Sequence, residues 1–315
     1  KDTYVSGQEL SERFGVSRTA VWKAIHQLEE EGYRIEAVPR KGYHMVETPD
    51  VVCKEEILSL LETKWAGRNL VYLETVDSTN DLAKKLADQG APEGTLVVAD
   101  EQTGGKGRRG RAWCTPKGSA IAMTIVLRPD IRPELASMVT LVMGLSVAKA
   151  IGSLYPVSVG IKWPNDVVVN GKKICGILTE MSAEMTGIHY LVIGTGINTN
   201  VEEFPEEIQS VATSLIKELG EKVNRAELIA ACLKYFEEYY EKYIAAGNLA
   251  PLKEDYEALL LNRNNKVRVL EPNHEYTGLS LGINEDGELL VEKEDGTVTA
   301  VYAGEVSVRG VYGYV

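Results

Sequence analysis

Cysteine and histidine are scarce, with four of each in 315 residues. Cys53, Cys114, Cys175 and Cys232 stand far apart with no CxxC pair, and the histidines show no zinc-ligand spacing. That excludes a disulfide framework and a structural zinc site, and leaves thiols suited to a reducing compartment, so a cytoplasmic protein is expected. Long apolar runs are missing too. The best, "VTLVMGLSVAKAI", is short and contains Gly144 and Lys149, which argues against a membrane span. No secretory pattern opens the chain, and no repeat or low-complexity tract interrupts it. Basic residues are outnumbered: 34 Lys and Arg against 46 Asp and Glu, a formal net charge of -12. Such a chain does not bind nucleic acid indiscriminately, so any DNA contact must come from a local patch.

What is present points to an α+β multidomain protein. The length suits two or three domains, and 44% hydrophobic with 25% charged residues is ordinary for a globular chain. Residues 1–47 read helix, turn, helix, hairpin. Ser6 and Ser17 are candidate N-caps, and Leu10 with Phe14 marks the apolar face of the first helix. Ala20, Val21, Ala24, Ile25 and Leu28 mark that of the second. "YRIEAVPRKGYHMV" then alternates around a turn, which completes a winged-helix pattern. Residues 48–68 read as a linker and short helix. From 69 to 265 strands and helices alternate, predicting a central mixed sheet with flanking helices on one side. "GIKWPNDVVVN" is expected to be one of its strands. From 266 to 315 only strands appear, broken by Asp286-Gly287 and Asp295-Gly296, as in a small SH3-like β-barrel.

Four short motifs carry the chemistry. Residues 102–118 hold five cations (Lys106, Arg108, Arg109, Arg111 and Lys117) among glycines and no acid. Glycines expose backbone amides and arginines supply forked donors, so the loop suits an anionic ligand; a solvated basic loop or a nucleic-acid contact fits the composition as well. It lacks the spacing of a phosphate-binding P-loop. "GIKWPNDVVVNGKKICGILTE" puts Lys162, Trp163, Asn165, Asp166, Lys172 and Lys173 near one end of a sheet. It is a hairpin turning at Asn170-Gly171, and its polar cluster suits phosphate and Mg²⁺. "DSTND", from Asp77 to Asp81, is a helix cap or a polar ligand pocket. "GTGINTN" is too short of glycine for a dinucleotide fingerprint.

In this order, DSTN, EQxxGxGRRGRxW, KWPND, GKKxxGIL(T)E and GxGIN resemble the biotin protein ligases. With a winged helix in front, the chain resembles the bifunctional kind that is also the biotin-operon repressor. The resemblance covers essentially the whole chain. It implies a class II synthetase-like catalytic fold, activation of biotin by ATP to biotinyl-5′-AMP, and transfer to a lysine of a biotin carboxyl carrier domain. It places Ser78, Thr79, Asn80, Gln102, Gly105, Lys106, Gly107, Arg108, Lys173 and Gly176 around biotin. It places Arg109, Arg111, Trp113, Lys162, Asn165, Asp166 and Asn198 around the nucleotide, with the indole near adenine. Lys173, Arg108 and Asp166 would be catalytic, Asp166 reaching Mg²⁺ through the phosphates. One departure is that Lys106 stands where the family loop has an arginine.

The same resemblance implies an operator-binding homodimer favoured by biotinyl-5′-AMP. Residues 1–47 balance seven basic against eight acidic residues. Their distribution is uneven: Ser17, Arg18, Thr19, Lys23 and His26 open the second helix, and Arg40, Lys41 and His44 form the wing, all without acids. That predicts a helix start in the major groove and a wing on phosphate. A protein-docking role is the alternative for this unit. The chain starts almost at "YVSGQEL", without the helix that usually precedes the pair, so a truncated N-terminus is expected. A lipoate ligase, or a sensor that binds the adenylate without ligating, are the alternatives for the whole. Glu305 and Arg309 are candidate contacts from the C-terminal barrel.

Overall fold

A computed structural model of the chain describes residues 4–30, 32–47, 49–184, 187–271, 274–303 and 307–310. They form two compact units, Lys1–Val51 and Val52–Val315.

In the first unit, α1 (Gly7–Phe14) starts where Ser6 Oγ accepts the N–H of Glu9, and ends at Gly15, whose φ of 64° suits a glycine C-cap. α2 (Arg18–Glu30) starts at Ser17, whose Oγ accepts the N–H of Ala20. Both caps are where the sequence puts them. The apolar faces are narrower than the periodicity predicts. Val21 and Ile25 are buried and Leu28 partly so, but Ala20 and Ala24 are exposed and Phe14 is 67% exposed. Two helices and one hairpin offer a single small core, which covers only one narrow stripe of each helix. β1 (Arg34–Val38) and β2 (Gly42–Glu47) make the hairpin, turning at Arg40 with φ of 68°.

The short helix expected within 48–68 is present: α3 (Lys54–Leu60) buries Ile57 completely in the main core of the second unit. A seven-stranded sheet follows, built from β3 (Leu70–Val76), β4 (Leu96–Gln102), β5 (Ala120–Leu127), β6 (Val159–Lys162), β7 (Asp166–Val169), β8 (Lys172–Glu184) and β9 (Gly187–Asn198). Its order is β3-β4-β5-β9-β8-β7-β6, and only β3 and β4 pair parallel. α4 (Thr79–Asp88) bridges the parallel pair.

Helices cover both faces, not one. α5 (Ala136–Leu154) and α7 (Arg225–Ala246) share a core with Leu96, Val98, Ile121, Met123 and Ile125. The alternate residues Val97, Val126 and Val192 pack with Ala83 and Ala87 of α4. Strand alternation sends neighbours to opposite faces, so covering both explains why all eight residues of β5 are buried and its sequence is an unbroken apolar run. α5 and its leading turn, Pro133–Leu154, are long and apolar enough to cross a membrane, but 78% of the 18-residue window that meets this test is buried. The expected strand "GIKWPNDVVVN" is two strands, since Pro164 has no N–H for the ladder and the chain turns between β6 and β7. The β7–β8 turn is Asn170-Gly171, with φ of 48° and 79°, as the Asn-Gly pair predicts.

After α6 (Leu215–Leu219), α7 and α8 (Lys253–Leu259), an antiparallel sheet closes the chain. It is built from β10 (Lys266–Glu271), β11 (His274–Ile283), β12 (Leu289–Glu292), β13 (Val298–Val301) and β14 (Ser307–Gly310). Its order is β13-β12-β11-β10-β14, and both Asp-Gly pairs sit at its turns, with Gly287 and Gly296 at φ of 73° and 78°. It lies within the second compact unit.

Candidate functional site

A pocket opens between the start of α4, the loop after β4 and the face of β8 and β9. Its floor is made by absence of side chains. A Cβ on Gly194 would overlap Asn80, and one on Gly196 or Gly176 would overlap the indole of Trp113. The two glycines of "GTGIN" thus let two large side chains lie flat on the strands. Trp113 Nε1 is buried there without a hydrogen-bond partner among the described residues.

One wall is a polar relay. Ser78 caps α4, its Oγ accepting the N–H of Asp81. Gln102 Oε1 accepts both the N–H and the hydroxyl of Thr79, at 2.8 and 2.9 Å, while its Nε2 donates to Thr115. Thr124 Oγ lies 2.8 Å from Thr79 Oγ1 and 2.7 Å from Asn80 Oδ1. Gln102 is half-buried and the rest are buried, and all are mutually oriented before any ligand arrives, as a specific polar recognition site requires.

The opposite end is cationic. Lys173 Nζ pairs with Asp166 Oδ1 at 2.6 Å. Asn165 Nδ2 donates to the same carboxylate at 3.1 Å, and Asn165 Oδ1 accepts from Arg108 Nη1 at 2.7 Å. Burial lowers the Arg108 pKa and the charges of Arg109 and Arg111 add to that, while Asp166 opposes them; an arginine stays charged regardless. Lys173 Nζ also lies 5.6 Å from the Trp113 ring centre. Two cations at the rim of a partly apolar cavity suit a ligand with an apolar body and a carboxylate or phosphate.

Of the residues singled out from sequence, Ser78, Thr79, Asn80, Gln102, Lys106, Gly107, Arg108, Trp113, Asn165, Lys173 and Gly176 line this pocket, with Asp166 tied to Lys173 beside it. Five are not brought to its wall. Gly105 is packed under the backbone of Trp113, and its carbonyl accepts that residue's N–H. Arg109 reaches the carbonyl of Leu270, and Arg111 is exposed. Lys162 is 6% exposed, and Asn198 is buried with its Nδ2 on the carbonyl of Thr213. Trp113, expected near a nucleotide, lies on the glycine floor it shares with Lys173. Sequence reasoning passed over Ala122, Ile177, Leu178, Gly194, Thr195 and Gly196; the GxG spacing was the one signal for the two glycines.

The C-terminal sheet reaches the loop through backbone, which side-chain motifs cannot reveal. Arg108 Nη2 donates to the carbonyl of Ala303 at 3.1 Å. Glu305 and the side chain of Arg309 lie outside the described residues.

In the first unit, Arg18, Thr19 and Lys23 lie exposed on the opening turns of α2 behind Ser17, and Arg40 and Lys41 are exposed at the hairpin turn. These five side chains are presented to solvent as the sequence suggests. The two histidines differ. His26 Nδ1 is 2.7 Å from Glu29, so an acid does reach that face, and His44 stacks on Tyr4 at 4.9 Å with a buried Nδ1.

Comparison with known proteins matches three segments of the chain. The Biotin/lipoate A/B protein ligase family matches residues 72–198, an HTH domain matches 1–44, and the Biotin protein ligase C terminal domain matches 264–309. The chain is 41% identical to the bifunctional ligase/repressor BirA of Bacillus spizizenii, over 96% of this chain and 93% of that protein. It is 31% identical to BirA of Escherichia coli, over 96% and 92%. Among solved structures, the biotin protein ligase of Aquifex aeolicus in complex with biotin and ATP is 34% identical, with a TM-score of 0.69. It covers 77% of this chain and 99% of its own.

Proposed function

This chain belongs to the biotin protein ligase family, in its bifunctional ligase and repressor form, and from that premise we propose how its two units work. The chain activates biotin with ATP and transfers it to a carboxyl carrier protein, and its helix-turn-helix unit makes it a DNA-binding repressor. The observation that carries the ligase reading is the pocket's division into a polar relay, a flat apolar floor and a cationic rim.

Biotin's ring system lies on the glycine floor against Trp113, with its polar head on Thr79, Gln102 and Asn80. Its tail then points to Lys173 and Arg108. On this reading the indole, expected near adenine, packs against biotin beside Lys173. ATP enters at the Asn165–Asp166 side. Two anions must meet there. The carboxylate oxygen attacks the α-phosphorus, the bond to the leaving pyrophosphate breaks, and biotinyl-5′-AMP forms. Lys173 and Arg108 offset the repulsion and stabilise the charge that builds up. Lys173 is held by Asp166 until the substrates arrive, which keeps its charge aimed at the reacting oxygens.

The described residues bring no three metal-ligating side chains together, so they fit Mg²⁺ only as a companion of the phosphates, with Asp166 as the available carboxylate. There the ion would neutralise phosphate charge. In the second step the acceptor lysine's neutral amine attacks the acyl carbon, AMP leaves, and the amine gives up a proton as the amide forms. The basic loop covers the anhydride and keeps water away. The first unit places α2 in the major groove with Arg40 and Lys41 on phosphate, as a homodimer favoured by bound biotinyl-5′-AMP.

Biotin-dependent ATP–pyrophosphate exchange tests the ligase reading, with lipoate as control acid. Exchange with biotin alone supports it; exchange with lipoate alone makes this a lipoate enzyme. Lys173→Ala should lose exchange while keeping its melting temperature, and normal exchange in that variant would remove Lys173 from the chemistry.

A further inference from the structure

We propose that Asp81 is a positioning residue for ligand binding: it holds the glycine-rich loop over the pocket through Lys106. The inference rests on the ligase reading for its consequence and on geometry for its substance. Asp81 is the third residue of α4, in a serine-x-x-aspartate capping arrangement where the acid commonly reaches back to the cap. Its carboxylate is aimed elsewhere. Oδ2 takes Lys106 Nζ at 2.6 Å from the loop, and Oδ1 takes Lys84 Nζ at 3.0 Å from the same helix. Lys84 continues to Glu180 Oε1 on β8 at 2.8 Å, and Glu180 Oε2 accepts from Asn80 Nδ2 at 2.7 Å. Two acids and two lysines alternate from the loop to the pocket wall, ending on the relay that reaches Thr79 and Gln102.

The loop is also tied by Thr103 Oγ1 to Asp77 Oδ1 and by Arg108 to Asn165 and the carbonyl of Ala303. Its ends are fixed by backbone, Gly104 to the carbonyl of Asp77 and Gln102 to that of Thr115. Lys106 is the last cation before Gly107 and Arg108, so a hold at Lys106 joins those Arg108 contacts in setting where the two stand. Lys106, where the family has arginine, makes one point contact with a carboxylate, for which an ammonium suffices. Its lysine-bound partner also explains why its charge need not serve the ligand directly. Asp81 titrates below the ordinary carboxylate range because of Lys106 first and Lys84 next, against some burial, so the pair stays charged across the neutral range. Both partners are partly solvated, so the effect is modest and screened by salt.

The experiment is a double-mutant cycle read by an arginine-specific protease, which cuts after Arg108, Arg109 and Arg111 whatever stands at 106. Ligand-free Asp81→Asn is expected to be cut roughly two- to fivefold faster than wild type, and Asp81→Glu to be cut at close to the wild-type rate. In a Lys106→Met background the Asp81→Asn change should add nothing. In pyrophosphate exchange Asp81→Asn should raise the KM for biotin by a similar factor with kcat little changed. Equal cleavage of Asp81→Asn and wild type overturns the proposal, as does an undiminished effect in the Lys106→Met background, which would route Asp81 through Lys84 alone. The cleavage arm needs no ligand. Wild-type protein without biotin-dependent exchange would therefore count against the ligase reading and leave the loop contact separately decided.

Discussion

At the scale of single residues, the site depends on what is missing as much as on what is charged. Gly194 and Gly196 have no positive φ to account for them; they are glycine because Asn80 and Trp113 occupy the space of their side chains. Gly196→Ala should therefore leave the backbone undisturbed and push the indole off the floor. We expect a rise in biotin KM on the order of tenfold, a loss of about 1.4 kcal/mol of binding, with a melting temperature close to wild type. An unchanged KM would mean that the indole does not shape the biotin site. Lys162 and Asn198 teach the reverse. Their residue types suit a nucleotide, but both are buried away from the pocket wall, and a motif letter does not say on which side of a strand its side chain falls.

At the scale of elements, α7 does more than fill the core. Its Glu237 is 7% exposed and accepts the backbone N–H groups of Lys64, Trp65 and Ala66, tying the segment before β3 to the helix. Burial raises its pKa, but the three donors outweigh that and hold it below the ordinary carboxylate value of 4.5. A depressed folded pKa adds stability that is complete above the unfolded value and fades as pH falls through the folded one. Glu237→Gln should cost about 1–3 kcal/mol near neutral pH, since an amide cannot replace a charged acceptor of three bonds. The gap between variant and wild type should narrow below about pH 4.5 as Glu237 protonates. Urea unfolding at pH 7 and below pH 4 checks this; a gap that stays constant with pH would show that the charge contributes nothing. The α4 cap and the Asn-Gly turn were legible from sequence because each is settled within four residues. The break at Pro164 was obscured by apolar residues on both sides of it, and the helices on both faces by a period-two pattern that β5, buried on both sides, does not display.

At the scale of the whole molecule, an acidic chain carries two local concentrations of positive charge, one for nucleotide and carboxylate and one for DNA. The exposed Arg18, Lys23, Arg40 and Lys41 are the phosphate contacts of the DNA reading. If a homodimer makes about six such contacts, its affinity for DNA should fall on the order of a thousandfold between 50 and 200 mM salt. Titration of fluorescent duplexes selected from a random pool measures the slope. A slope near zero would turn the first unit into a protein-docking module.

The sequence by itself determined the chemistry: ordered short motifs, each local, sufficed to place the loop cations, the Asn165–Asp166 pair, Lys173 and the helix cap in one reading. Tertiary structure alone decided which of them meet. The registry of β8 against β9 laid Trp113 on two glycines, and crossing connections brought Ala303 to Arg108 and Asp81 to Lys106. Such contacts join residues far apart in the chain, and their distances are set by packing of the core between them. No local pattern carries that information.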